Sequence, residues 1–170
     1  EISIWYQTRC MRAEKPAEPP PHPLYRLGLL RPRTPFTGHT TVAVNLGGGI
    51  IPVGFSLFLW QHHPLPTAQV IAAILVVAAV SYAASRPVPG VGIGMPFLLA
   101  PITAAVTALL LGGDHSAPLA YIGGTLGVLT GADLLRLGDI RKMGSPVASI
   151  GGAGTFDGIY ITGIVAVLLA

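Results

Sequence analysis

Residues 34–85 read TPFTGHTTVAVNLGGGIIPVGFSLFLWQHHPLPTAQVIAAILVVAAVSYAAS and contain no Asp, Glu, Lys or Arg. A helix needs about 20 apolar residues to cross roughly 30 Å of hydrocarbon. The stretch is therefore long enough for two crossings, separated by the prolines at Pro64 and Pro66. The whole chain follows suit: of its 170 residues 51% are hydrophobic and only 10% charged, against roughly 25% charged in an ordinary soluble domain. A water-soluble globule is excluded by that balance. A mean hydropathy of +0.65 excludes a solvated coil as well.

Outward from this stretch, five apolar spans are expected, at 40–60, 67–84, 96–112, 118–137 and 146–170, each bounded by Gly, Pro or charge. The fold class expected is all-α, a polytopic transmembrane helix bundle with glycine-broken helices. Charge alternates along the connections. The tail is basic, 61–66 carries no Lys or Arg, 85–94 carries Arg86, 113–117 has Asp114 alone, and 138–145 carries Arg141 and Lys142. This is a positive-inside pattern. It predicts a cell (inner or plasma) membrane protein with its N-terminus in the cytoplasm and its last residue outside.

Two regions are expected: a Pro-rich, basic cytoplasmic tail or linker at 1–39 and a transmembrane helical domain at 40–170. Six of the ten Lys and Arg (Arg9, Arg12, Lys15, Arg26, Arg31 and Arg33) lie in the first 33 residues. Proline removes donors and fixes φ, so this segment should be extended. A net charge of +3 concentrated there fits anionic lipid headgroups, and no nucleic-acid partner is expected. The expected partners are the lipid bilayer and either membrane subunits or further copies of the chain. Position 1 is not Met and no signal peptide is legible, so a segment upstream is expected.

Gly123, Gly127 and Gly131 recur every four residues, which places them on one helix face as a seam for close helix packing. Asn45-Leu46-Gly47-Gly48-Gly49-Ile50-Ile51-Pro52 and Gly151-Gly152-Ala153-Gly154 are breaks at membrane depth. Backbone exposed there costs several kcal/mol unless protein or water satisfies it. Such breaks belong inside the bundle, either as kinks and close crossings or as sites, as in discontinuous transporter helices. As a site, they would bind substrate through Asn45, Gly48, Gly152 and Gly154.

Asp133 and Asp157 are acids inside otherwise uncharged runs. At 1.5 Å per residue Asp133 lies about 6–10 Å into its span, and Asp157 about 9 or 16 Å according to where its helix begins. The two carboxyls are thus able to share a level. Close carboxylates in low dielectric resist double ionisation, which provides an acid and a base to activate water. The catalytic candidates are Asp133 and Asp157. Alternatively, Asp133 pairs with Arg136 at i+3 or with Arg141. Asp114 and Asp139 read as interfacial loop charges. His62 and His63 are adjacent, which does not put two ligands on one helix face. No metal and no cofactor is expected, and Cys10 is a single unpaired thiol.

From Asn45 onward, about three quarters of the chain resembles the uncharacterised prokaryotic membrane family called domain of unknown function 1614. The likeness is carried by Asn45-Leu46-Gly47-Gly48, by Arg86-Pro87-Val88-Pro89-Gly90-Val91-Gly92-Ile93, by Gly131-Ala132-Asp133-Leu134-Leu135, and by the run Ser149-Ile150-Gly151-Gly152-Ala153-Gly154-Thr155-Phe156-Asp157-Gly158-Ile159. That resemblance implies a polytopic membrane protein, beginning with one more apolar span, and implies no activity. A weaker similarity is to intramembrane aspartyl proteases of the presenilin and signal-peptide-peptidase type. It would set Ala132-Asp133-Leu134-Leu135 against their aromatic-Asp motif, and Gly152-Ala153-Gly154 followed by Asp157 against their Gly-x-Gly-Asp motif. Ala132 replaces the aromatic residue, Thr155 and Phe156 separate Gly154 from the acid, and no Pro-Ala-Leu segment follows. Two extra residues turn a helix by about 200°.

Three functions are compatible with these residues. One is an intramembrane aspartyl-type peptidase using Asp133 and Asp157. The second is a non-catalytic membrane subunit or scaffold that uses the small-residue seam. The third is a proton-coupled transporter built on the broken spans and the acids.

Overall fold

The computed structural model describes residues 3–6, 41–88, 92–139, 147–152 and 158–170. Most of them are helical. Helix α1 (Ile51–His62) follows a strand, β2 (Thr41–Asn45), and a widened π-turn over Leu46–Ile50. Helix α2 (Thr67–Ala84) starts directly after Pro66 and stops at Ser85, before Arg86-Pro87, where the proline disfavours helix in the residue preceding it. A two-stranded ribbon, β3 (Arg86–Val88) and β4 (Gly92–Gly94), leads to α3 (Leu99–Gly112) and α4 (Ser116–Val128). A second π-turn, Leu129–Leu134, extends α4, and Leu135 N–H donates to the Thr130 carbonyl at 2.9 Å. Strand β5 (Val147–Ile150) precedes α5 (Gly158–Leu169).

Among the described residues, two helical stretches are long and apolar enough to cross a membrane, Thr67–Ala84 and the 41-residue run Leu99–Asp139. Drawn straight, the second would measure about 60 Å. It does not run straight. Gly113 has φ +52°, a left-handed conformation that suits glycine, and Gly112 lies against Leu119, so α3 and α4 fold back as an antiparallel hairpin. Helices α4 and α5 are antiparallel too. Gly124 faces Thr162 and Ala166, Gly163 faces Tyr121 and Thr125, and Ser116 Oγ donates to the Ala170 carbonyl at 3.0 Å.

Helices α2 and α4 run parallel along the glycine seam. A methyl group on Gly123 would sit 2.9 Å from Ala73 Cβ, one on Gly127 would sit 2.6 Å from Val77 Cβ, and Gly131 abuts the Ala78 backbone. The core these contacts build is made of small side chains. Ten of the seventeen buried apolar residues described are alanine, while Leu75, Leu110 and Leu168 point outward, 62%, 79% and 79% exposed. Close backbone approach, rather than burial of large side chains, holds such an interior together.

Among the described residues, one pair of buried hydroxyls is joined across helices, whereas Ser81 Oγ is buried without a hydrogen-bond partner. Thr125 Oγ1 donates to the Tyr121 carbonyl at 2.7 Å, so Ser56 Oγ, 2.9 Å away, donates to Thr125. The same α1–α4 joint carries Phe55 edge-on to Tyr121, with centroids 5.0 Å apart. Removing one side-chain hydrogen bond between membrane helices costs about 0.6–1.7 kcal/mol. Ser56→Ala should therefore lower stability by about 1 kcal/mol in detergent-solubilised unfolding, with Thr125 still bonded to Tyr121.

An all-α bundle has no sheet, and here the structure differs. Strand β1 (Ser3–Tyr6) pairs antiparallel with β2, from Ser3 opposite Asn45 to Tyr6 opposite Val42. Strand β2 pairs in parallel with β5, from Thr41 opposite Val147 to Val44 opposite Ile150. The spans expected at 40–60 and 146–170 thus open as strands, and the first becomes regular α-helix only at Ile51. A charge-free apolar run satisfies hydropathy in either conformation, so hydropathy does not separate the two.

Candidate functional site

The parallel pair β2/β5 brings the two glycine breaks together. Asn45, the last residue of β2, spans them: its Oδ1 accepts from Gly47 N–H at 3.0 Å and its Nδ2 donates to the Gly152 carbonyl at 3.1 Å. Ser149 Oγ donates to the same carbonyl at 2.6 Å. Gly151 and Gly152 have φ +84° and +79°, in the left-handed region that glycine enters without a steric cost. Gly151 is also pressed onto the first break, where a Cβ would lie 2.6 Å from Gly49 N and 2.8 Å from Gly48 C.

Asp133 joins this cluster from the π-turn that extends α4. Its Oδ2 accepts from Gly151 N–H at 2.6 Å, and the residue is half-buried. The π-turn inserts one residue relative to an α-helix, and such insertions are common at functional positions because they re-aim the side chains that follow. Asn45, Gly48, Asp133 and Gly152 therefore belong to one contiguous arrangement of carboxylate, carboxamide and glycine backbone. Gly154 and Asp157 lie outside the described residues, as do Arg141 and Lys142. Gly49 and Gly151 stand inside the quoted breaks and Ser149 inside the quoted run, but the sequence names none of the three as a binding residue.

Close by in sequence, Arg136 locks the end of α4 to the end of α2. Its Nη2 donates to the carbonyls of Tyr82 at 2.7 Å and Ser85 at 2.8 Å, and its Nε donates to Ser85 Oγ at 3.2 Å. Its Nη1 pairs with Asp139 Oδ2 at 3.0 Å, and the guanidinium carbon lies 4.3 Å from the centre of the Tyr82 ring. The last carbonyls of a helix have no intrahelical donors, and a cation there is favoured by the helix dipole. Asp139, expected as an interfacial loop charge, is half of this ion pair, and both side chains are less than a fifth exposed. Arg136→Ala would leave Asp139 and two carbonyls without the guanidinium. Unpairing a largely buried ion pair costs about 3–5 kcal/mol, and residual exposure reduces this to about 2–4 kcal/mol. Arg136→Lys should recover only part of it, because an ammonium lacks the planar fork. Thermal unfolding of the purified variants measures both.

A family model described as "Protein of unknown function (DUF1614)" matches residues 7–169 of the chain. The chain belongs to this family. Neither the curated proteins nor the solved structures contain a significant match. The family match spans every element of the cluster: Asn45 and Gly48 on the first break, Asp133 on the π-turn, and Gly151 and Gly152 on the second break all fall within it.

Proposed function

We propose that the chain is a multi-pass protein of the cell membrane that crosses five times, with its N-terminus in the cytoplasm and its C-terminus outside. The parallel pairing of β2 with β5 supports this count, because the chain must return to the same side between them and four helices, α1 to α4, intervene. The distribution of charge supports the orientation. Arg86, Arg136 and Asp139 gather at the sheet end, whereas the loops at the other end carry His62, His63, Asp114 and His115 and no Lys or Arg. Large apolar side chains outside and alanine within suit a hydrocarbon surround, which solvates Leu and Phe at no cost.

The chemistry that the cluster supports best is aspartyl-type peptide hydrolysis by Asp133 and Asp157. The observation that carries this reading is the hydrogen bond from Gly151 N–H to Asp133, because Gly151 opens the segment that leads to Asp157 six residues later. In such a pair one carboxylate takes a proton from water as the water oxygen attacks the amide carbon. The other, protonated, carboxyl gives its proton to the nitrogen as the C–N bond breaks. The glycines at 48, 49 and 151 let the two breaks pack backbone against backbone beside the acid.

The test is cleavage of a labelled transmembrane reporter peptide by the purified chain in liposomes. Cleavage by the wild-type chain and none by Asp157→Asn is the expected result. Identical product from Asp157→Asn would end the reading. A proton-coupled carrier is the second reading, favoured by the meeting of the two broken spans at Gly49 and Gly151. Substrate-dependent acidification of vesicles in the absence of cleavage would favour it instead.

A further inference from the structure

We propose that α1 is the movable wall of a lateral entrance, swinging aside to open the Tyr121–Thr125 edge of α4, and the path from there to Asp133, to a transmembrane segment arriving from the bilayer. What enters rests on the peptidase reading. How the way opens rests on the packing of α1.

Among the described residues, α2, α3 and α5 each pack against α4 and against at least one other of these helices, whereas α1 packs against α4 alone. Pro52 and Ser56, one turn apart, are its buried residues, and Ile51, Phe55, Leu57 and Phe58 are exposed. The hydrogen bond from Ser56 to Thr125 and the edge-on contact of Phe55 with Tyr121 fasten its middle. Its ends are held more firmly. Leu65 in the loop that follows is buried in the core, and β2, ahead of the π-turn, is paired on both sides in the sheet. Elements with few buried contacts are the first to open. A helix pinned at both ends and seated along one line opens by rocking sideways.

The edge that α1 covers leads to the acid. Tyr121 and Thr125 carry Phe55 and Ser56 of α1 on one side and Gly163 of α5 on the other, yet α1 and α5 share no packing seam among the described residues. Asp133 lies eight residues beyond Thr125. In an unbroken α-helix eight residues overshoot two full turns by about 80°. The residue inserted by the π-turn makes them advance as seven do, which is within about 20° of two turns and about 10 Å along the axis. Asp133 therefore falls on the edge of α4 that lies between α1 and α5.

The first arm of the test is independent of activity. It uses spin labels on the full chain in liposomes, with Cys10→Ala as background. Labels at Gly54→Cys, where nothing lies within 4 Å of an added Cβ, and at the exposed Leu75→Cys report α1 against α2. Labels at Leu75→Cys and the exposed Leu168→Cys report α2 against α5. The expected distance distribution is at least twice as wide for the first pair as for the second, and equal widths would overturn the proposal. In the second arm Ser56→Cys/Thr125→Cys, whose native hydroxyl oxygens lie 2.9 Å apart, is oxidised to pin α1 shut. Reporter cleavage should fall at least tenfold and return on reduction. Undiminished cleavage by the fully oxidised chain would overturn the entrance. Absence of cleavage from the wild type as well would end the peptidase reading, and the label widths would then decide the movement of α1 by themselves.

Discussion

Gly131→Ala is expected to destabilise the chain by about 3 kcal/mol or more, enough to leave much of it unfolded in detergent. A methyl group at this position meets the Ala78 carbonyl oxygen and lies 2.9 Å from Ala78 C and Cα. A flexible side chain could swing aside, but the backbone of α2 cannot. Relief requires the two helices to part along a seam that is tight at Gly127 and Gly123 as well, where Val77 and Ala73 are the neighbours. Overpacking a filled interior costs about 1–3 kcal/mol when neighbours adjust, and here the neighbour that must adjust is a helix. Gly54→Ala is the matched control. Nothing lies within 4 Å of its added methyl group, so the usual gain from replacing glycine in a helix, up to about 1 kcal/mol, should appear unopposed. Equal unfolding midpoints for Gly131→Ala and wild type would refute the packing of α2 on α4.

That seam was legible in the sequence, because a four-residue repeat of glycine lies on one helix face whatever covers it, a packed helix or a ligand. The identity of the partner was not. Ala73, Val77 and Ala78 stand in a run of nearly uniform apolar residues, where no periodicity marks one face. The glycine breaks were legible as interior features, and Gly48, Gly49 and Gly151 are buried. Their meeting was not legible, since it depends on β2 and β5 pairing across about 100 residues. The local hint was a short β-branched run, Thr41-Val42-Ala43-Val44, followed by Asn45. Short apolar runs of this length serve strands and buried helices alike. The pairing of Arg136 with Tyr82 and Ser85 likewise joins residues about 50 apart. Spacing along one element carries no record of such contacts.

Asp133→Asn and Asp157→Asn should each lower reporter cleavage by at least 10³-fold, the second large effect and the one that tests function rather than fold. Asparagine keeps the shape of aspartate but neither takes nor gives a proton at neutral pH, so each variant removes one half of an acid–base pair. General acid–base catalysis contributes about 10²–10⁴-fold per group. Groups that act as a unit fail together, so the double variant should be no slower than either single one. The Asp133→Asn protein should remain folded, because the carboxamide oxygen of asparagine still accepts the Gly151 N–H that Oδ2 accepts now. An unfolding midpoint within about 1 kcal/mol of wild type, alongside lost cleavage, separates chemistry from structure. Single variants that keep more than a tenth of the wild-type rate would remove the pair from the mechanism. If those variants instead abolish proton flux in vesicles that show no cleavage, the same two acids belong to a carrier.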